Sequence, residues 1–286
     1  MQKILILFET IKIYLKIIIS NETIILGPYH GEFGFEVSMN ASIAYSIKKK
    51  FRNKLIVVSL DGNKALYNYC DKFIVFNYNL KNAGYGYGNY IDSLSLRNEF
   101  KRRNKFNENI IYIDLCRINI YLFKKMVNFE YVCLGDDKIL IQPNEIAIHF
   151  RSVIKTGTDN RSNFLNENAD RLVHELFLLG FIVNVIGHPE FSYCPNMYCT
   201  DFRSKDIIYA INTIKKSIIT IGQLSGPIHL AHLCKRPVLT WADDISRFKT
   251  VKMWNPFNQE CLVVSHETFN PKIDKIIKKL YDYKNK

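Results

Sequence analysis

Two periodicities alternate along this chain. Runs of consecutive apolar, mostly β-branched residues mark buried strands, and stretches with an apolar residue at every third or fourth position mark helices with one buried side. In the first half this pattern predicts strands at 23–26, 54–60 and 72–76, a helix at 35–50 and a shorter one at 62–69. A glycine-punctuated loop, 27–34, joins the first strand to the first helix. The βαβαβ order predicts a parallel sheet with a ligand crevice at the carboxyl ends of its strands. The pattern weakens between 77 and 109 and resumes as a strand at 110–115. The second half repeats the theme with a strand at 146–150, a helix at 166–179, a strand at 181–186, a helix at 204–216 and a strand at 217–221. A helix from Pro227 and a strand at 238–241 follow, and Ile273, Ile276, Ile277 and Leu280 share one face of a last helix.

Residues 1–20 are strongly apolar, yet Glu9, Lys12 and Lys16 recur at spacings of three and four, which aligns them along one side of a helix. Three such charges disfavour a membrane span, and no small-residue cleavage site follows to suggest a signal peptide. An interfacial amphipathic helix fits the pattern, and so does a strand and helix packed on the first domain.

The chain has 286 residues, 48% of them hydrophobic, enough for two cores, and a net charge of +12. The charge favours anionic partners: nucleotide sugars, a phospholipid surface or nucleic acid. Its lysines cluster at 48–54, 101–105 and the C-terminus, which reads mainly as solvated faces. Seven scattered cysteines read as buried free thiols in a reducing compartment, which points to the cytoplasm. Cys194, Cys199 and His188 lack a second ligand pair, so no metal site is expected. The alternating run from Gly84 to Tyr90 suits a surface loop or a stacking cover over a sugar or base.

The most specific segment is 220–241, TIGQLSGPIHLAHLCKRPVLTW. Its strand, tight turn and helix put Ser225 at the N-cap and Pro227 in the first turn, so backbone N–H groups and the positive helix end face the loop. That is an anion site suited to a diphosphate. Ser225-Gly226-Pro227-Ile228-His229-Leu230-Ala231, followed by a basic pair, Pro237 and a β-branched strand, resembles the donor motif of GT-B glycosyltransferases. The closest likeness is to the heptosyltransferase-like group, glycosyltransferase family 9. The family commonly has Asp before the turn, whereas this chain has Gln223 and Leu224 there.

The resemblance implies an α/β, GT-B-like fold of two Rossmann-like domains whose parallel sheets face a central cleft. The expected division is an apolar extension at 1–22, an acceptor-side domain at 23–138 and a nucleotide-sugar domain at 139–270, with a linker near 135–144. A C-terminal helix at 271–286 is expected to pack back on the first domain. Ser225, Gly226 and His229 would grip the donor diphosphate, with Arg151 and His188 at neighbouring strand ends. Arg151 belongs to a His-x-Arg spacing that is reminiscent of fucosyltransferases. Glu32, after Gly31 in the first loop, matches the placement of the family's base, and Glu36 is its reserve or a first-turn glutamate that complements the helix dipole.

The implied activity is metal-independent, inverting transfer of a hexosyl or heptosyl group from a nucleotide sugar to a glycan, lipid-linked or nucleic-acid hydroxyl. The donor is a co-substrate, and no cofactor is expected. The implied location is the cytoplasm, with peripheral contact to a membrane as an option. A polysaccharide pyruvyltransferase-like enzyme, using phosphoenolpyruvate, is the closest alternative. A basic nucleic-acid-binding α/β protein is the non-enzymatic one, although no nucleic-acid-binding motif is present.

Overall fold

A computed structural model describes the chain apart from residues 1, 30, 31, 78–89, 107, 108, 116, 153–162, 265, 266 and 286. It forms two compact units, Met1–Val132 and Cys133–Lys286. Both are α/β.

The first unit opens with helix α1 (Gln2–Ile19) and strand β1 (Thr23–Leu26). A continuous helical run follows as α2 (Phe33–Phe35), a π-helical turn (Glu36–Asn40) and α3 (Ala41–Lys50). Then come β2 (Leu55–Ser59), a 3₁₀ turn (Asn63–Tyr67), β3 (Lys72–Val75), α4 (Tyr90–Arg103), β4 (Ile110–Ile113) and α5 (Ile120–Met126). The sheet order is β3-β2-β1-β4, and every pairing is parallel. Strands β1 and β2 are buried along their whole length, as their unbroken apolar runs require. Ile25, Ile56 and Val58 share one sheet face and pack with Phe76 and with Phe100 of α4. Helix α4 was invisible to the periodicity because its polar residues, ending in Lys101-Arg102-Arg103, leave only a narrow apolar stripe.

The second unit contains β5 (Glu145–Arg151), α6 (Asn166–Leu178), β6 (Ile182–Val185), the short β7 (Ser192–Tyr193) and β8 (Thr200–Asp201), α7 (Ile207–Lys216) and β9 (Ile219–Gln223). It continues through α8 (Gly226–Leu233), β10 (Val238–Trp241), α9 (Ile245–Met253), β11 (Cys261–Val263) and α10 (Ile273–Lys284). Its main sheet runs β11-β10-β9-β5-β6-β8, all parallel, and β7 pairs antiparallel with the end of β5.

Two expectations about chain organisation are corrected. The C-terminal helix packs on the second unit rather than the first, because Ile273, Ile276 and Leu280 join a core with Ile146, Ile148, Leu172, Leu239 and Trp241. A single apolar stripe on α10 fills the space beside α6 and β10, so that face is already satisfied there. The segment 135–144, read as a linker, is folded onto the second unit. Leu134 N–H donates to Leu233 O (2.9 Å), Gln142 N–H donates to Lys216 O (2.8 Å), and Asp137 pairs with the buried Lys215 ammonium at 2.5 Å. A buried lysine demands a carboxylate, and the supposed linker supplies it.

Candidate functional site

The strand order of the second unit reverses between β5 and β9. From β5 the chain moves outward through β6 to β8, then returns to the other side of β5 and continues through β9, β10 and β11. Loops leaving the carboxyl ends of the two strands at such a switch point diverge and leave a crevice. The residues there are His149 and Arg151 on β5, and Gln223 and the turn through Ser225 on β9.

Alternation along β5 sends Ile146, Ile148 and Phe150 into the core and leaves His149 and Arg151 for the opposite face. The His149 imidazole is tightly seated. Gly222 lies opposite it in register, and a Cβ there would come within 2.6 Å of His149 O. Gly187, at φ 129°, passes the other side, where a Cβ would meet His149 Cδ2 at 2.8 Å. Burial, and after it the Arg151 cation, push the His149 pKa down to about 3, so the ring is neutral across the physiological range.

Ser225 stands at the N-cap of α8 with an extended backbone, but its hydroxyl makes no cap bond. The hydroxyl instead donates to Gln223 O (2.9 Å) and lies 3.2 Å from His149 Nδ1. With its one hydrogen committed to Gln223, Ser225 Oγ accepts from His149 Nδ1–H, which assigns the tautomer. Gln223 Oε1 accepts from Arg151 N–H at 3.2 Å, joining the ends of the two strands. Gln223 Nε2 is buried and has no partner among the described residues. The amino end of α8 therefore keeps its dipole and lacks a side-chain cap.

His229, one turn into α8, is buried with its ring edge-on to Trp254 at 4.5 Å between centroids. Burial, then His232, lower its pKa to about 3, and its Nδ1 has no partner among the described residues. His188 follows Gly187 at the end of β6. Its Nδ1 accepts from Glu190 N–H (3.2 Å), its ring lies against Phe191, and burial is the main cause of its lowered pKa. Arg151, His149, Gln223, Ser225 and Gly226 thus collect around two adjacent strand ends, His229 lies inside α8 against Trp254, and His188 lies one strand further along.

In the first unit the strand order turns between β1 and β4, which places the loop after β1 at its own switch point. Glu32 is exposed at the N-cap of α2 and makes no side-chain cap bond, while its backbone oxygen accepts from Tyr29 Oη at 2.7 Å. Gly31 lies outside the described residues. Glu36 does stand in the first turn of its helical segment, as the dipole reading expects, but its side chain is engaged in the interior. Its carboxyl is buried, bonded by the Ser59 hydroxyl and the Tyr67 phenol on one oxygen and by Asn63 Nδ2 on the other, at 3.0 Å for Tyr67 and 2.9 Å for Asn63. Asn40 Nδ2 in turn donates to Tyr67 Oη at 2.7 Å. Burial outweighs these bonds and raises the Glu36 pKa to about 7.

Sequence reasoning singled out neither His149 nor Gln223 as site residues. The His-x-Arg spacing was the available sign for His149, and the replacement of Asp before the turn was the sign for Gln223. The glycine–tyrosine run lies, up to Asn89, outside the described residues. The described cysteines are unbridged, but only Cys234 is buried and Cys133 is exposed, so burial does not account for the set.

No protein-family model matches the sequence, and no curated protein matches it. Solved structures do match in shape. The ADP-heptose lipopolysaccharide heptosyltransferase II of E. coli aligns with a TM-score of 0.59 at 11% identity, over 92% of this chain and 98% of that one. The fold is GT-B-like. The E. coli heptosyltransferase WaaC, solved with ADP-2-deoxy-2-fluoro heptose, aligns at 0.55 and 10% identity over 91% and 99% of the two chains. A glycosyltransferase family 9 protein of Veillonella parvula aligns at 0.54 and 10% identity over 93% and 98%. A GT-B-like chain with this switch-point turn has its candidate chemistry where α/β sheets place ligands.

Proposed function

We infer that this chain is a cytoplasmic, metal-independent, inverting glycosyltransferase that takes its sugar from a nucleotide-diphosphate donor. The observation that carries this reading is the pairing, at one switch point, of the Arg151 strand end with the uncapped amino end of α8, joined by Gln223 and by the His149–Ser225 contact. A departing nucleoside diphosphate needs positive charge that is fixed in place before it leaves. A guanidinium and a helix N-terminus supply that charge, and the neutral His149 imidazole, its Nδ1–H spent on Ser225, braces the turn that presents them.

In this reading Arg151, His188, Ser225, Gly226 and His229 hold the donor. The acceptor hydroxyl oxygen forms the new bond to the anomeric carbon, the bond from that carbon to the diphosphate oxygen breaks, and Glu32 takes the hydroxyl proton. Glu36 positions the loop, because its oxygens are already engaged by Ser59, Tyr67 and Asn63. The acceptor is a hydroxyl of a glycan, a lipid-linked sugar or a nucleic acid. ADP-linked hexoses and heptoses are the first donors to test, since WaaC, similar in fold, was solved with an ADP-heptose analogue.

The test is release of nucleoside diphosphate by the full chain from ADP-, GDP- and UDP-linked sugars, with and without a panel of acceptors. Turnover of one donor is expected. Stabilisation and turnover with phosphoenolpyruvate alone would replace the reading with pyruvyl transfer.

A further inference from the structure

Helix α1 has two apolar faces, and the first unit covers only one. Thr10, Ile13 and Ile17 are buried, with Ile6 partly covered, and α1 packs against α5 and β4. Thr10 Oγ1 accepts from Asn119 N–H at 2.8 Å, which pins the helix to the start of α5. On the opposite side Ile4, Phe8, Leu15, Ile18 and Ile19 fall within about a third of the helical circumference and all are exposed, Phe8 at 66% and Ile19 at 79%. An exposed apolar stripe of this length on a soluble face is the mark of an interaction surface.

The charges beside the stripe select the partner. Lys12 and Lys16 line one edge and Lys3 lies beyond the other, all exposed, against Glu9 as the only acid in the helix. A second copy of the chain would bring these like-charged edges toward one another across an isologous contact. An anionic bilayer surface would accept both the apolar arc and the lysine heads, whose stems lie along apolar surface while the ammonium groups reach the headgroups. No helix among the described residues is long and apolar enough to cross a membrane, so α1 suits an orientation in the plane of the interface.

We propose that the outer face of α1 docks the protein on a bilayer rich in anionic phospholipid. This role is independent of the donor-site reading and is tested without turnover. The full chain is sedimented with vesicles of phosphatidylcholine alone and of equimolar phosphatidylcholine and phosphatidylglycerol. Binding is expected only to the anionic vesicles, falling by at least roughly tenfold in Phe8→Glu/Leu15→Glu and in Lys12→Glu/Lys16→Glu. Circular dichroism checks that both variants remain folded. A Phe8→Trp variant, which keeps the face apolar, should show a blue-shifted emission on adding anionic vesicles and quenching by brominated lipid. Equal binding to both vesicle types, binding to neither, or a blue shift that follows protein concentration without lipid would overturn the proposal, the last in favour of a second copy.

Discussion

At the carboxyl end of its sheet the first unit buries an acid, Glu36, while the second buries imidazoles, among them His149 near the strand-end Arg151 and His229 in α8. The acid is held by Ser59 at the end of β2 and by Asn63 and Tyr67 in the turn that follows, and it favours its neutral form. The imidazoles also favour their neutral form, which for them means having lost a proton. Burial acts on both by the same physics, but opposite ionisation chemistry gives opposite pH responses. The contrast assigns different work to the two ends. A strand-end cation and a helix N-terminus suit phosphate binding, whereas a locked carboxyl suits fixing a loop so that its exposed neighbour, Glu32, is placed.

The largest expected effect separates the two glutamates. Glu32→Gln keeps shape and removes the proton acceptor, so donor binding should persist while transfer falls by roughly 10²–10⁴-fold. Near-normal transfer by that variant, with a collapse confined to Glu36→Gln, would move the base to the buried position and dissolve the contrast.

Next in size is a pH effect on stability. Glu36 has a folded pKa of about 7 against an ordinary 4.5, so the unfolded chain gives up its proton first. Stability is therefore lost as pH rises from about 4.5 to 7 and stays at the lower level above that. Glu36→Gln should abolish this limb and stabilise the first unit at pH 8 by about 3 kcal/mol. Denaturant titrations at pH 5 and pH 8 measure it, and an unchanged pH slope would contradict the burial argument.

The imidazoles should show the reverse. With folded pKa values of about 3 against 6.5, His149 and His229 lose stabilisation as pH falls below 6.5, by about 2 kcal/mol each at pH 5. Hydrogen exchange between pH 7 and 5 should therefore show protection weakening in the second unit and strengthening in the first. A smaller effect is expected at the segment read from sequence as a linker. Asp137→Ala removes the carboxylate from the buried Lys215 ammonium and should cost about 1 kcal/mol, read from the denaturation midpoint, since Asp137 itself is exposed.

What the sequence revealed and what it hid divide along the same line. The strand at 23–26, the strand at 238–241 and the turn between β9 and α8 were legible because their signals are local: an apolar run, a glycine, a proline in the first helical turn. The Glu36 network was not, because Ser59, Asn63 and Tyr67 lie more than twenty residues away and nothing in their spacing announces a shared carboxyl. The packing of α10 was misread for a related reason. Its apolar stripe shows that it must pack, and only the space beside α6 and β10 shows where. His149 was hidden by alternation, since a histidine in an apolar strand looks like core until the glycines on either side are seen to make room for it.

The proposed diphosphate site at the β5 and β9 ends is open to calorimetry. Calorimetric titration of nucleoside diphosphates and nucleotide sugars into the wild type, Arg151→Ala and Arg151→Lys should show binding by the wild type. Loss of about tenfold or more in affinity is expected for the alanine variant and only partial recovery for lysine, which lacks the planar fork. An Arg151→Ala protein that is folded and binds the same nucleotide with undiminished affinity would contradict the account.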